Sequence, residues 1–168
     1  MPPSRRELPV HAAYEQTAGL MPDSREIYQL HPHLYDELVR HEDGAGNLLP
    51  AIQAITPLAD LDVVELGAGT GRVTILLSPH VRSIRAFDAS PPMLDVARRH
   101  LTQLRAHNWQ LAVADNSHLP VETGSAQLAI AGWTFGHQTV WHETAWRIPI
   151  ECALNEMLRV LAPTGTPS

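Results

Sequence analysis

The chain has 168 residues, 44% of them hydrophobic, enough for one domain with a real core. Its 12 basic and 18 acidic residues leave a net charge of −6 with no local Lys/Arg cluster, which argues against a nucleic-acid backbone as partner. One cysteine, Cys152, excludes an internal disulfide framework and fits a reducing compartment, and no apolar run approaches the ~20 residues of a membrane span, so a cytoplasmic protein with no membrane partner is expected. The start, Met1-Pro2-Pro3-Ser4-Arg5-Arg6-Glu7, lacks the apolar stretch of a secretory signal. The ten histidines are scattered; only His31-Pro32-His33 lie close together. No cysteine or carboxylate cluster completes a ligand set at zinc-like spacing, so no metal is expected.

Residues 1–22 are rich in proline and lack periodicity, and are expected to form a disordered arm. A helical N-terminal extension is expected over residues 23–58. Ser24 can cap a short helix from Arg25 to about Leu30, which Pro32 interrupts. Leu34, Tyr35, Leu38 and Val39 recur at helical spacing. Glu42 to Asn47 reads as a turn, and Leu48, Leu49, Ile52 and Ile55 mark a further helix. From residue 59 onwards strands and helices alternate. Strands are expected at Leu61–Leu66, Ser83–Phe87, Trp109–Ala114 and Ala126–Ala131. Ser90 reads as the cap of a helix whose first positions are Pro91 and Pro92, where proline is tolerated; Met93, Ala97, Leu101 and Leu104 form its buried stripe. Residues 132–146 read as a loop. Ile150, Ala153, Leu154, Met157, Leu158 and Leu161 then recur as the apolar stripe of an amphipathic helix. Strands separated by helices predict an α/β, doubly wound parallel sheet.

The chemistry centres on Val63-Val64-Glu65-Leu66-Gly67-Ala68-Gly69-Thr70-Gly71, a buried strand ending in an acid and then three alternating glycines, with a helix opening at Arg72. Glycine serves where backbone turns tightly or approaches a ligand closely, and the helix start offers unpaired N–H groups. The spacing disfavours an NAD-dependent oxidoreductase, whose G-x-G-x-x-G would place its third glycine where Arg72 stands. A P-loop would need a lysine, and none is near. Ligands of such sheets bind beyond the carboxyl ends of the strands, here Gly67, Asp88, Asp115 and Gly132.

The pattern Glu65-x-Gly67-x-Gly69-x-Gly71, with acids at the next two strand ends, resembles the class I S-adenosylmethionine (SAM)-dependent methyltransferases, of the type 11-like group, over roughly residues 60–165. The resemblance implies a Rossmann-like core over residues 59–168, with SAM as cofactor and a small molecule as methyl acceptor. It implies cofactor contacts at Glu65, Gly67, Ala68, Gly69 and Gly71. It further implies that Asp88 accepts from the ribose hydroxyls, that Ala89 and Met93 lie against adenine, and that Asp115 and Asn116 meet the adenine edge. Gly132 allows close approach at the methionine end. Trp133 and Phe135 could wall off water, an aromatic face could attract the sulfonium, and His137 is the general-base candidate for an O- or N-acceptor. Trp141 and Trp146 are candidates for a lid over the substrate.

The family's sheet has seven strands, whereas this chain stops shortly after Glu156-Met157-Leu158-Arg159-Val160-Leu161-Ala162-Pro163. The sheet is therefore expected to end after the fourth strand and its following helix, leaving that strand as an open apolar edge. Such an edge fits association with a second copy or a partner, and a non-catalytic SAM-binding or interaction protein is the alternative to a working transferase.

Overall fold

The computed structural model describes residues 24–141 and 144–163; the expected arm at residues 1–22 lies outside them. Four strands form one sheet in the order β3-β2-β1-β4: β1 (Asp62–Leu66), β2 (Ser83–Asp88), β3 (Trp109–Val113) and β4 (Leu128–Ala131). All three pairings are parallel, with Glu65 opposite Ala86 on one side and Ile130 on the other. The chain therefore runs outward from β1 to β3 and then crosses back to β4 beside β1. That reversal at β1 is the crevice-forming arrangement of an open α/β sheet.

Before the sheet come α1 (Ser24–Leu30), α2 (Pro32–Val39) and α3 (Leu48–Ile55). Proline at the first position of α2 separates it from α1, as expected. The start of α3 is held by Asp43, whose carboxylate accepts from the backbone N–H of Asn47 (2.8 Å) and of Leu48. Within the sheet, α4 (Arg72–Leu77) follows β1, α5 (Pro91–Leu101) follows β2, and α6 (Thr134–Trp141) and α7 (Arg147–Val160) follow β4. Alternation along β1 sends Val63 to one core with Ile52, Val73, Leu77 and Ile84, and Val64 and Leu66 to another with Phe87, Leu119, Ala153 and Val160. Helices thus cover both faces of the sheet.

No helix joins β3 to β4. That segment is fastened to α7 instead: Glu156 accepts from the Leu119 N–H at 2.8 Å, and Arg159 donates to the carbonyls of Val121 (2.8 Å) and Leu119 (3.1 Å). The Arg159 guanidinium also lies against Glu156, holding that carboxyl at about 2, below its ordinary 4.5. Among the described residues no helix is long and apolar enough to cross a membrane.

Three expectations are corrected. Residues 132–146 are not all loop, since Thr134–Trp141 is helical; it is short, carries Gly136 and has no apolar periodicity to announce it. Ser90 does stand at the N-cap of α5, but its hydroxyl makes no cap bond; it donates to the Tyr28 carbonyl at 3.3 Å. Of the stripe on α7, Ala153 is buried, whereas Leu154 and Leu158 are exposed, because β4 is the last strand on that side.

Gly71 is a backbone position on which the packing of α4 against α5 depends. Its φ is +87°, and a Cβ there would lie 2.9 Å from the Ala97 Cβ on α5. An alanine therefore meets both a left-handed backbone penalty of roughly 1–2 kcal/mol and a clash. Gly71→Ala should lower the thermal midpoint by roughly 2–8 °C, read by circular dichroism; an unchanged midpoint would contradict this packing.

Candidate functional site

The ends of all four strands and the outlying helices α1, α2 and α6 enclose a cavity of about 570 Å³. Its floor is the backbone at Gly67 and Gly69, after β1. Gly67 has φ +64°, and Thr134 Oγ1 occupies the place where a Cβ would stand, 1.9 Å from it. That hydroxyl donates to the Leu66 carbonyl at 3.1 Å, so the glycine lets α6 dock directly onto the end of β1. At the end of β2, Asp88 accepts from the Gly69 N–H through one carboxylate oxygen and from the Ser90 N–H through the other, both at 2.8 Å. Burial raises the Asp88 carboxyl above its ordinary range, against the pull of those two N–H groups.

Beyond β3, Asp115 closes a small turn by accepting from the N–H and the hydroxyl of Ser117, at 2.8 and 2.6 Å. The Ser117 hydroxyl and N–H hold the Asp115 carboxyl below the usual carboxylate range. Next to it the side-chain carbonyl oxygen of Asn116 is buried with no hydrogen-bond partner in the protein. Such an atom is costly to leave unpaired, and Asn116 lines the cavity, where a ligand donor could meet it.

The roof comes from α1, α2 and α6. Tyr28 and Tyr35 meet edge to face with ring centroids 4.9 Å apart. The Tyr28 hydroxyl lies 2.6 Å from His137 Nε2, and the two rings are also nearly perpendicular, 5.4 Å apart. Burial lowers the His137 value below 6.5, opposed by the charges of Asp88 and Glu42, so the imidazole is neutral at neutral pH. Burial raises the Tyr28 phenol, which is neutral as well.

The sequence-derived residues therefore divide into two groups. Gly67, Gly69, Asp88, Ala89, Met93, Asp115, Asn116, Gly132, Phe135 and His137 line the cavity together. Glu65, Ala68 and Gly71 do not. Glu65 and Ala68 border a small adjoining pocket of about 30 Å³ with Arg72 and Trp133, and Gly71 lies under α5. Trp133 is 65% exposed and faces a separate apolar pocket beside Leu48 and Ile52. Trp146 precedes α7 with the Arg147 guanidinium over its ring; the Trp141 side chain lies outside the described residues. Sequence reasoning missed Tyr28, Tyr35 and Thr134. The two tyrosines are the only aromatic residues between 24 and 58, a signal that could have singled them out. Among the described residues no group of three or more His, Cys, Asp or Glu could hold a metal ion.

Glu65 itself is fully enclosed. Its carboxyl shares a 2.5 Å hydrogen bond with the Thr74 hydroxyl on α4, and burial pushes it up to about 8 from an ordinary 4.5, against the pull of Thr74 and Arg72.

Comparison with known proteins identifies the family of the chain and its relatives in fold. Residues 63–165 match the family described as "Methyltransferase domain". An uncharacterized methyltransferase of Mycobacterium tuberculosis (strain ATCC 25618 / H37Rv) is 35% identical over 126 residues, covering 74% of this chain and 46% of that protein. The chain spans about half the length, or less, of the curated relatives it matches. A chain from the Haloferax volcanii complex between the Trm112 methyltransferase activator and a methyltransferase is similar in fold, with a TM-score of 0.63 at 23% identity over 86% of this chain and 58% of that one. Phosphoethanolamine N-methyltransferase 1 of Haemonchus contortus, solved with phosphoethanolamine and S-adenosylhomocysteine, is also similar, with a TM-score of 0.57 at 16% identity over 92% of this chain and 30% of that one.

The raised Glu65 value makes a stability prediction. Because the folded value lies above the ordinary one, the contribution is complete below about pH 4.5 and is lost as pH rises through about 8. Glu65→Gln keeps a hydrogen bond to Thr74 and cannot ionise. Chemical denaturation from about pH 5 to about pH 8 should show the variant gaining steadily on the parent; a constant gap would contradict a buried protonated acid.

Proposed function

This chain belongs to the class I SAM-dependent methyltransferase family, and from that premise we propose that its cavity binds SAM and presents the methyl group to a small-molecule acceptor. The observation that carries the reading is Asp88: a half-buried carboxylate at the end of β2, already drawing Gly69 and Ser90 together, with lone pairs left for two adjacent hydroxyls of a ribose. A charged acceptor with two neighbouring donors is a strong pairing. Met93 and Ala89 offer an apolar wall for the adenine ring, and the unpartnered Asn116 oxygen together with Asp115 offers acceptors for its amino group. Gly67 and Gly69 let the methionine end run along bare backbone. Glu65, Ala68 and Gly71 support that loop from beneath.

SAM supplies an already activated methyl group, so the protein's task is alignment and exclusion of water. His137, neutral and half-buried beneath Tyr28, is suited to take the proton an O- or N-acceptor loses. Tyr28 orients that ring. The single, half-buried Cys152 suits a reducing, cytoplasmic setting. The outer edge of β4, beyond the bridge between Ala126 and Leu161, and the exposed Leu154 and Leu158 on α7 are suited to association with further polypeptide.

Two measurements test these roles. Calorimetric titration should show Asp88→Ala binding S-adenosylhomocysteine at least about tenfold more weakly than the parent; equal affinity in a folded variant would mean that the ribose lies elsewhere. Transfer of labelled methyl from SAM in a cell extract separates catalysis from binding. In that assay His137→Asn should lose about a hundredfold or more in rate while keeping the parent's affinity for S-adenosylhomocysteine. An unchanged rate would remove His137 from the mechanism.

A further inference from the structure

A second pocket, of about 420 Å³, lies beside the cavity already described. Its walls are Leu48 and Ile52 from α3, Val73 from α4 and Ile130 from β4, with Trp133 next to them. Gly132 borders both spaces. Between them a narrow gap of about 30 Å³ touches Gly67 and Gly69 of the cavity floor and Val73 and Trp133 of the second pocket. A Cβ at Gly132 would stand 3.0 Å from Val73 Cγ2 and 3.8 Å from the Arg72 guanidinium. The wall between the two spaces is therefore as thin as backbone allows.

Apolar walls with a few polar groups are the character of a small-molecule site. The charged groups of this pocket already have partners. Arg72 pairs with Glu42 at 3.6 Å, and Asp43 accepts from the N–H groups of Asn47 and Leu48. Trp133 is largely exposed and sits at φ +62°, a conformation that a bulky L residue rarely adopts. Strain of this kind gathers at ligand sites, and an open indole face gains from a ring laid on it. We propose that this pocket holds the apolar, ring-bearing body of the methyl acceptor against Trp133, while the reacting atom reaches the methyl group past Gly132. The proposal rests on the larger cavity being the SAM site.

The step balances without any further reactant. A lone pair on the acceptor's oxygen or nitrogen forms the bond to the methyl carbon as the C–S bond breaks. The C–S electron pair returns to sulfur, leaving neutral S-adenosylhomocysteine. The proton lost by the acceptor passes to the neutral imidazole of His137 and from there to solvent.

The test uses the full chain. Titration with S-adenosylhomocysteine comes first, and absence of binding overturns both the cofactor reading and this proposal. With that ligand bound, 2-naphthol is titrated as a probe of the second pocket and is expected to bind. Ala51 lines the pocket from an exposed position on α3, so Ala51→Trp fills the space without entering the core. It should weaken 2-naphthol at least about tenfold and keep the parent's affinity for S-adenosylhomocysteine. Trp133→Ala removes the ring and leaves the walls, and should weaken the probe at least about fivefold; it decides the matter alone where Ala51→Trp does not fold. No binding to the parent, or parent-like affinity in either folded variant, overturns the site. SAM carrying a labelled methyl group is then offered with aryl-bearing alcohols and amines, and separately with their ring-free, short-chain counterparts. Transfer to the aryl pool should be at least about tenfold faster. Equal or faster transfer to the ring-free pool, or none to the aryl pool, overturns the acceptor class and leaves the cofactor reading standing.

Discussion

The Asp88 carboxylate is the contact on which the site depends. Its two oxygens hold the N–H of Gly69 from the loop after β1 and the N–H of Ser90 from the start of α5. Without it the glycine loop and the second strand end would be joined mainly by the parallel ladder behind them. Two further restraints converge on the same place: Ser90 donates to the Tyr28 carbonyl, and Thr134 seats α6 on the end of β1. The floor, the wall and the roof of the cavity are thus linked through a handful of polar contacts in which the side-chain partner is short and leaves little conformational freedom. Side-chain entropy lost in holding such a site is correspondingly small.

Electrostatics then follows from burial. Glu65 and Asp88 are both raised by desolvation, but they differ in what compensates. Glu65 has a neutral hydroxyl and is enclosed, which favours a protonated acid that braces β1 against α4. Asp88 receives two backbone N–H bonds and faces a cavity, which favours a carboxylate able to accept more. Two acids at neighbouring strand ends thereby come to serve different purposes, one structural and one at the ligand surface.

Most of the scaffold was legible in the sequence because it rests on local periodicity. Four strands, the helices around them and the glycine loop are written in apolar spacing and in strand-end residues, and β1, β2 and β3 each lie within a residue of where the pattern put them. What escaped was written in contacts distant along the chain. Tyr28 and His137 are 109 residues apart, and nothing in the neighbourhood of either announces the other. The α6 helix has too little apolar periodicity to stand out from a loop. The periodic stripe on α7 was real, but periodicity reports an apolar face and not what covers it, so Leu154 and Leu158 were expected inside and lie exposed. Glu65 shows the same limit. Its place before the glycines pointed to the ligand, while its side chain turns into the helix layer toward Thr74.

The most direct test of the account is a crystal structure of the chain grown with S-adenosylhomocysteine. The account requires both ribose hydroxyls within hydrogen-bond distance of Asp88, the adenine against Met93 with its amino group toward Asp115 and Asn116, and the sulfur below Tyr28 and His137. A ligand bound elsewhere, or one whose ribose avoids Asp88, would contradict it.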